Sequence, residues 1–119
     1  MIKTQNPKLY DLEERTYKFA KRCRDFVKKL PRTISNIEYG KQLIRSSGSV
    51  AANYIEANEC LGKKDFLHKI KICRKEAKES HLWLRLCGVD SSFVVEQRLI
   101  IQEATELTKI FGSILEKSK

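Results

Sequence analysis

Only two prolines and five glycines occur in the 119 residues, so long uninterrupted helices are allowed. Histidine is limited to His68 and His81. On one helix they stand about 140° apart, so they cannot share a ligand. The four cysteines, Cys23, Cys60, Cys73 and Cys87, contain no C-x-x-C pair. That spacing argues against a zinc knuckle, and in a reducing compartment the thiols read as small core residues. No apolar run approaches the roughly 18 residues that cross a bilayer. The N-terminal "MIKTQNPKLYDLEERTYKF" has no apolar segment of a secretory leader. A cytoplasmic chain without a membrane partner is expected. The sequence also has no G-x-S-x-G, no phosphate-binding glycine loop and no Cys-His arrangement. Glu56 and Glu79 are carboxylates that an acid–base mechanism would use, but di-metal helical bundles need Glu-x-x-His. Here the corresponding runs are Glu56-Ala-Asn-Glu59 and Glu76-Ala-Lys-Glu79. The reading is a non-enzymatic chain with no cofactor and no metal.

Basic residues are abundant: 24 Lys and Arg against 15 Asp and Glu, a net charge of +9. Such a surface attracts nucleic acid, acidic protein or anionic lipid without choosing among them. With 41% hydrophobic and 33% charged residues, the composition is that of a single globular domain with an ionic surface.

Four segments repeat their apolar residues with the helical period, and none sustains the alternation of a strand. The first covers about residues 9–30, with Leu12, Thr16, Phe19, Cys23, Phe26, Val27 and Leu30 on one face and Pro31 as its stop. The second covers about 35–60 and opens on the capping-box pattern Ser35-x-x-Glu38. Its wide apolar face includes Leu43, Ile44, Val50, Tyr54 and Ile55. The third, about 63–88, has Gly62 as N-cap and a seam of Phe66, Ile70, Cys73, Ala77, Ser80, Leu84 and Cys87 at alternating spacings of 4 and 3. Gly88 is its expected stop. The fourth, about 92–117, carries Phe93, Ile100, Ala104, Leu107, Phe111 and Ile114. Short connections make neighbours antiparallel, which predicts an all-α, up-down-up-down four-helix bundle over residues 1–119, fraying at its ends.

Within the second helix, "SSGSVAANYIEANE" (Ser46 to Glu59) opens on three serines and a glycine, all poor helix formers. On a helical wheel the stretch is ordered. Gly48, Ala51 and Ala52 form a small-residue seam suited to close helix approach. Gln42, Ser46, Ser49, Asn53 and Glu56 form a continuous polar line beside the core. That line meets another helix of the chain, another subunit, or water.

Two outer faces are basic. On the third helix Lys64, His68, Lys71, Lys75, Lys78 and Arg85 lie opposite the apolar seam. On the first, Lys21, Arg24 and Lys28 do so, with Tyr17 beside them as a surface aromatic able to stack on a base. Such arrays bind phosphates, or they are simply solvated. Off the main seam of the third helix lie Ile72, Trp83 and Leu86, with Glu76 and Glu79 between them. They form either an oligomer surface or one flank of a broad buried face.

From Lys41 to Leu86 the chain resembles the four-helix-bundle proteins called 23S ribosomal-RNA intervening-sequence proteins, or S23 ribosomal protein family. The resemblance rests on Ser49, Ala52-Asn53, Tyr54-Ile55, Glu56-Ala57, Asp65-Phe66, Glu79 and Trp83-Leu84. Gly62 stands where the family commonly has serine. The resemblance implies a four-helix bundle and a ring-like homo-oligomer, commonly a pentamer. A related branch, the accessory variability protein of diversity-generating retroelements, works with a reverse transcriptase and nucleic acid, so the resemblance adds RNA, DNA and a reverse transcriptase as candidate partners. The resulting expectation is a homo-oligomeric, nucleic-acid-binding or accessory scaffold. A protein–protein interaction module without a nucleic-acid role is the alternative.

Overall fold

The computed structural model describes residues 7–119, and side chains from Leu12 onward. Its helices are α1 (Pro7–Lys28), α2 (Ile34–Glu59), α3 (Lys63–Leu86) and α4 (Val94–Lys117), the last entered through a 3-10 turn over Ser91–Phe93. No strand occurs among the described residues. Consecutive helices pack on one another, and α4 closes back on α1, while α1 and α3 stand diagonally without close contact. Cross-links fix the direction. Arg15 of α1 and Lys29 just past its end pair with Glu103 and Glu96 of α4, and Glu56 near the end of α2 meets Lys69 near the start of α3. Neighbouring helices therefore run antiparallel, the expected up-down-up-down bundle, in a body of 44 × 26 × 20 Å. The expected fraying of the first residues lies outside the described residues.

Each helix buries one stripe. Phe19 and Phe26 of α1, Leu43 and Val50 of α2, Ile70 and Leu84 of α3, and Ile100, Leu107 and Phe111 of α4 are all at or below 1% exposure. Thr16 is also buried, because its hydroxyl donates to the Leu12 carbonyl at 2.7 Å and leaves its methyl for the core. Phe66, Phe93 and Ile114, placed on the stripes by their spacing, are half-buried.

Three local expectations are corrected. The Ser35–Glu38 capping box is not used. Thr33 caps α2, with extended backbone (φ −96°, ψ 162°) and its hydroxyl accepting from the Asn36 N–H at 3.1 Å. That register puts Asn36 in the first turn, where its amide spans the end of the bundle. Nδ2 donates to the carbonyls of Pro31 and Gly88, both at 2.9 Å, and Oδ1 accepts from the Gly88 N–H at 2.8 Å. Secondly, α3 ends at Leu86, and no described glycine takes the left-handed conformation, so Gly88 is not a left-handed cap. The last carbonyls are met instead by Gln97, which donates to Leu84 and Cys87 at 2.9 and 3.0 Å.

Thirdly, the close approach expected at Gly48, Ala51 and Ala52 is elsewhere. A Cβ on Gly48 would have no neighbour within 4 Å, and Ala52 is exposed. The tight contact is at Gly40, where a Cβ would lie 2.9 Å from Val27 Cγ1 of α1. Ile44 and Ile55, read as part of the apolar face, are 47% and 51% exposed. They point outward because α2 is rotated to aim Leu43, Val50 and the buried serines inward.

Candidate functional site

The polar line of α2 runs along the α2–α3 seam of the same chain. Ser46 and Ser80 are fully buried, and their hydroxyl oxygens lie 2.7 Å apart. Ser80 also donates to its own Glu76 carbonyl at 2.9 Å. Ser49 and Asn53 satisfy each other, with Asn53 Nδ2 donating to the Ser49 hydroxyl at 3.0 Å and to its carbonyl at 2.9 Å. Glu56 accepts from Lys69 of α3 at 2.6 Å, and this hydrogen bond holds the lysine's pKa above its ordinary value. Arg45 reaches from α2 to Glu79 at 3.0 Å and lies 3.5 Å from buried Glu76. The weak helix formers thus supply a hydrogen-bonded strip between two helices, in which Glu76 Oε1 is buried with the Arg45 guanidinium 3.5 Å away but no hydrogen-bond partner among the described residues.

Trp83 is half-buried, and its ring stacks on Tyr39 of α2 with centroids 6.0 Å apart and 26° between planes. Its Nε1 is buried without a hydrogen-bond partner in the described chain. Ile72 is also half-buried, while Leu86 is 44% exposed. Of the candidate oligomer residues (Ser49, Asn53, Glu56, Ile72, Glu79, Trp83 and Leu86), Glu56, Glu79 and Trp83 engage the partner helix across the α2–α3 seam, Ser49 and Asn53 bond each other within α2, and Leu86 faces outward. Along the middle of α2, Ile44 and Ile55 are exposed on either side of uncovered Gly48, and Ile34 is exposed at the helix's start.

The two basic faces do not meet. Lys21, Arg24 and Lys28 are exposed on α1, and Lys64, Lys71, Lys75, Lys78 and Arg85 are exposed on α3, the diagonal helix. Within α1, Arg24 is held at 2.9 Å by Asp25, whose acidity it strengthens by hydrogen bonding. On α3 the cations converge on a groove of about 350 Å³ lined by Lys71, Arg74, Lys75, Lys78, Glu79 and, from α4, Leu115. Arg74 was missed by the sequence reading because it sits on the flank toward α4 rather than at the centre of the outer face. Its spacing of three and four residues from Lys71 and Lys78 was the available signal. Tyr17 is 54% exposed beside the α1 cations.

The thiols offer no reactive centre in the core. Burial pushes Cys23 and Cys73 up to about 12 and Cys87 up to about 11, so they stay protonated at neutral pH. Among the described residues, no group of three or more His, Cys, Asp and Glu side chains gathers in a way that would hold a metal ion. No described helix is long and apolar enough to cross a membrane.

The model of the 23S rRNA-intervening sequence protein family matches residues 10–113. Among solved structures, the chain is similar to a protein of unknown function from the S23 ribosomal protein family of Bacteroides thetaiotaomicron VPI-5482. The two share 30% sequence identity and superpose with a TM-score of 0.74, over 87% of this chain and 97% of the other. No curated protein matches the chain significantly.

Proposed function

The chain belongs to the 23S rRNA-intervening sequence protein family, and on that premise we propose that it is a non-enzymatic, nucleic-acid-binding scaffold that works as a homo-oligomer. The observation that carries the nucleic-acid reading is the outer side of α3. Lys71, Arg74, Lys75 and Lys78 lie there within about two turns, and none takes part in an ion pair with a described residue. Cations at such spacing repel one another, and an array of phosphates relieves that repulsion while releasing its own counterions. Binding to structured RNA is expected to weaken steeply as salt rises. Lys71→Glu combined with Lys75→Glu is expected to weaken it further and to flatten the salt dependence by about one unit of log–log slope per lysine. No binding at low salt would contradict the reading.

Oligomerisation is supported by the outer face of α2. Ile44 and Ile55 expose apolar area beside Gly48, which carries no side chain to block an approaching subunit. A ring is the form that the family resemblance favours, commonly a pentamer. Light scattering at tens of micromolar is expected to give a multiple of the 13.9 kDa chain. Ile44→Glu with Ile55→Glu is expected to return the monomer with its helicity intact. A wild-type monomer would contradict this part of the proposal.

The same apolar face favours a second reading, an interaction module that docks on another protein. It predicts assembly with a partner but no salt-dependent affinity for RNA.

A further inference from the structure

We propose that the α3–α4 groove seats the phosphate backbone of a single-stranded nucleic acid, with Arg74 as the residue that grips it. This rests on the nucleic-acid reading above and narrows it to one face and one form of nucleic acid. Four of the six side chains lining the groove are cationic: Lys71, Arg74, Lys75 and Lys78. The one carboxylate, Glu79, is held by Arg45 of α2 at 3.0 Å. The groove therefore carries an excess of positive charge that the chain does not neutralise locally. From Lys71 to Lys78 the helix rises about 10 Å, enough for its cations to meet neighbouring phosphates of one strand.

Shape selects the form. A space of about 350 Å³ is at the small end of small-molecule pockets. A single strand can enter such a groove. A duplex, with two paired strands, is far too broad to enter a space of that volume and can only rest on its rim. On the α4 side, next to the groove, Gly112 stands beside Arg74, where a Cβ would lie 3.6 Å from Arg74 Nε. The guanidinium edge is thereby left uncovered, the arrangement that lets arginine donate two parallel hydrogen bonds to one phosphate. Leu115 is the apolar residue lining the groove, and no aromatic ring lines it. The grip is on the backbone, so base identity is not read there.

The test is fluorescence anisotropy with a labelled oligouridine and a duplex of equal length, at low salt, on four full-length proteins. These are the wild type, Arg74→Ala, Gly112→Leu, and Lys21→Ala with Lys28→Ala on α1. Circular dichroism confirms the fold of each; leucine is the better helix former at position 112. Arg74→Ala is expected to weaken single-strand binding about tenfold. Gly112→Leu leaves the charge unchanged and raises the groove wall, and is expected to weaken binding by roughly fivefold. The α1 variant is expected to change it less than about twofold. If the wild type binds but Gly112→Leu and Arg74→Ala bind equally well, the groove assignment is overturned while the nucleic-acid reading stands. Duplex bound at least as tightly as the single strand overturns the single-strand form. No binding of either probe by the wild type overturns the inference together with the reading it rests on.

Discussion

Gly40 and Gly48 sit about two turns apart on α2 and behave oppositely. Gly40 faces Val27 so closely that a Cβ would come within 2.9 Å of it, whereas Gly48 has open space. Neither takes a positive φ, so the backbone tolerates alanine at both. In the single chain, Gly48→Ala is expected to stabilise by about 1 kcal/mol through helix propensity. Gly40→Ala gains the same propensity but overpacks against Val27, and is expected to destabilise by up to about 2 kcal/mol net. Urea unfolding of the two variants checks both signs. The sequence showed that glycine in this helix needed a reason but not which glycine had one. Propensity is the same at each position, and only the rotation of α2 against α1 distinguishes them. The same limit applies to Arg74, whose value lies in facing α4, a relation between helices that no single wheel displays.

The helices themselves were legible because their signal is redundant. Four stripes with a period near 3.6 residues recur over long segments, and any one misplaced residue leaves the pattern intact. The ends were less legible because a cap depends on a single residue and its surroundings. Ser35-x-x-Glu38 matches the capping-box pattern, yet Thr33 caps α2 because that register brings Asn36 to Gly88 and Pro31. The side chain of Asn36 is thus an inter-element tie, joining the α1–α2 and α3–α4 connections. Asn36→Ala removes three hydrogen bonds and leaves their backbone partners to partly solvated surroundings. A loss of about 2 kcal/mol is expected. The thermal midpoint, followed by circular dichroism, should fall by about 6–12 °C. An unchanged midpoint would mean that water replaces the amide without cost. The buried Ser46–Ser80 contact is a comparable tie between α2 and α3. It explains why the least helical residues of the chain are tolerated in the middle of a helix.

At the scale of the whole molecule, the diagonal placement of α1 and α3 decides what the positive charge can do. The sequence placed two basic stripes on separate helices without saying how they lie relative to each other. The bundle sets them on different sides, with Arg24 on α1 already engaged by Asp25 and the α3 cations converging on a groove. Charge composition was legible in the sequence because it is a count. Its division between two faces was not, because topology decides which helices are neighbours. On the proposed function, nucleic-acid affinity belongs to α3 and its α4 neighbour, and subunit contact to the outer side of α2. The central claim is tested most directly by titrating structured RNA with wild type and with Lys71→Glu plus Lys75→Glu across a range of salt. The account predicts tight low-salt binding by wild type that falls steeply with salt. For the variant it predicts weaker binding with a log–log slope shallower by about two. Failure of wild type to bind at low salt, or identical slopes for the two proteins, would contradict it.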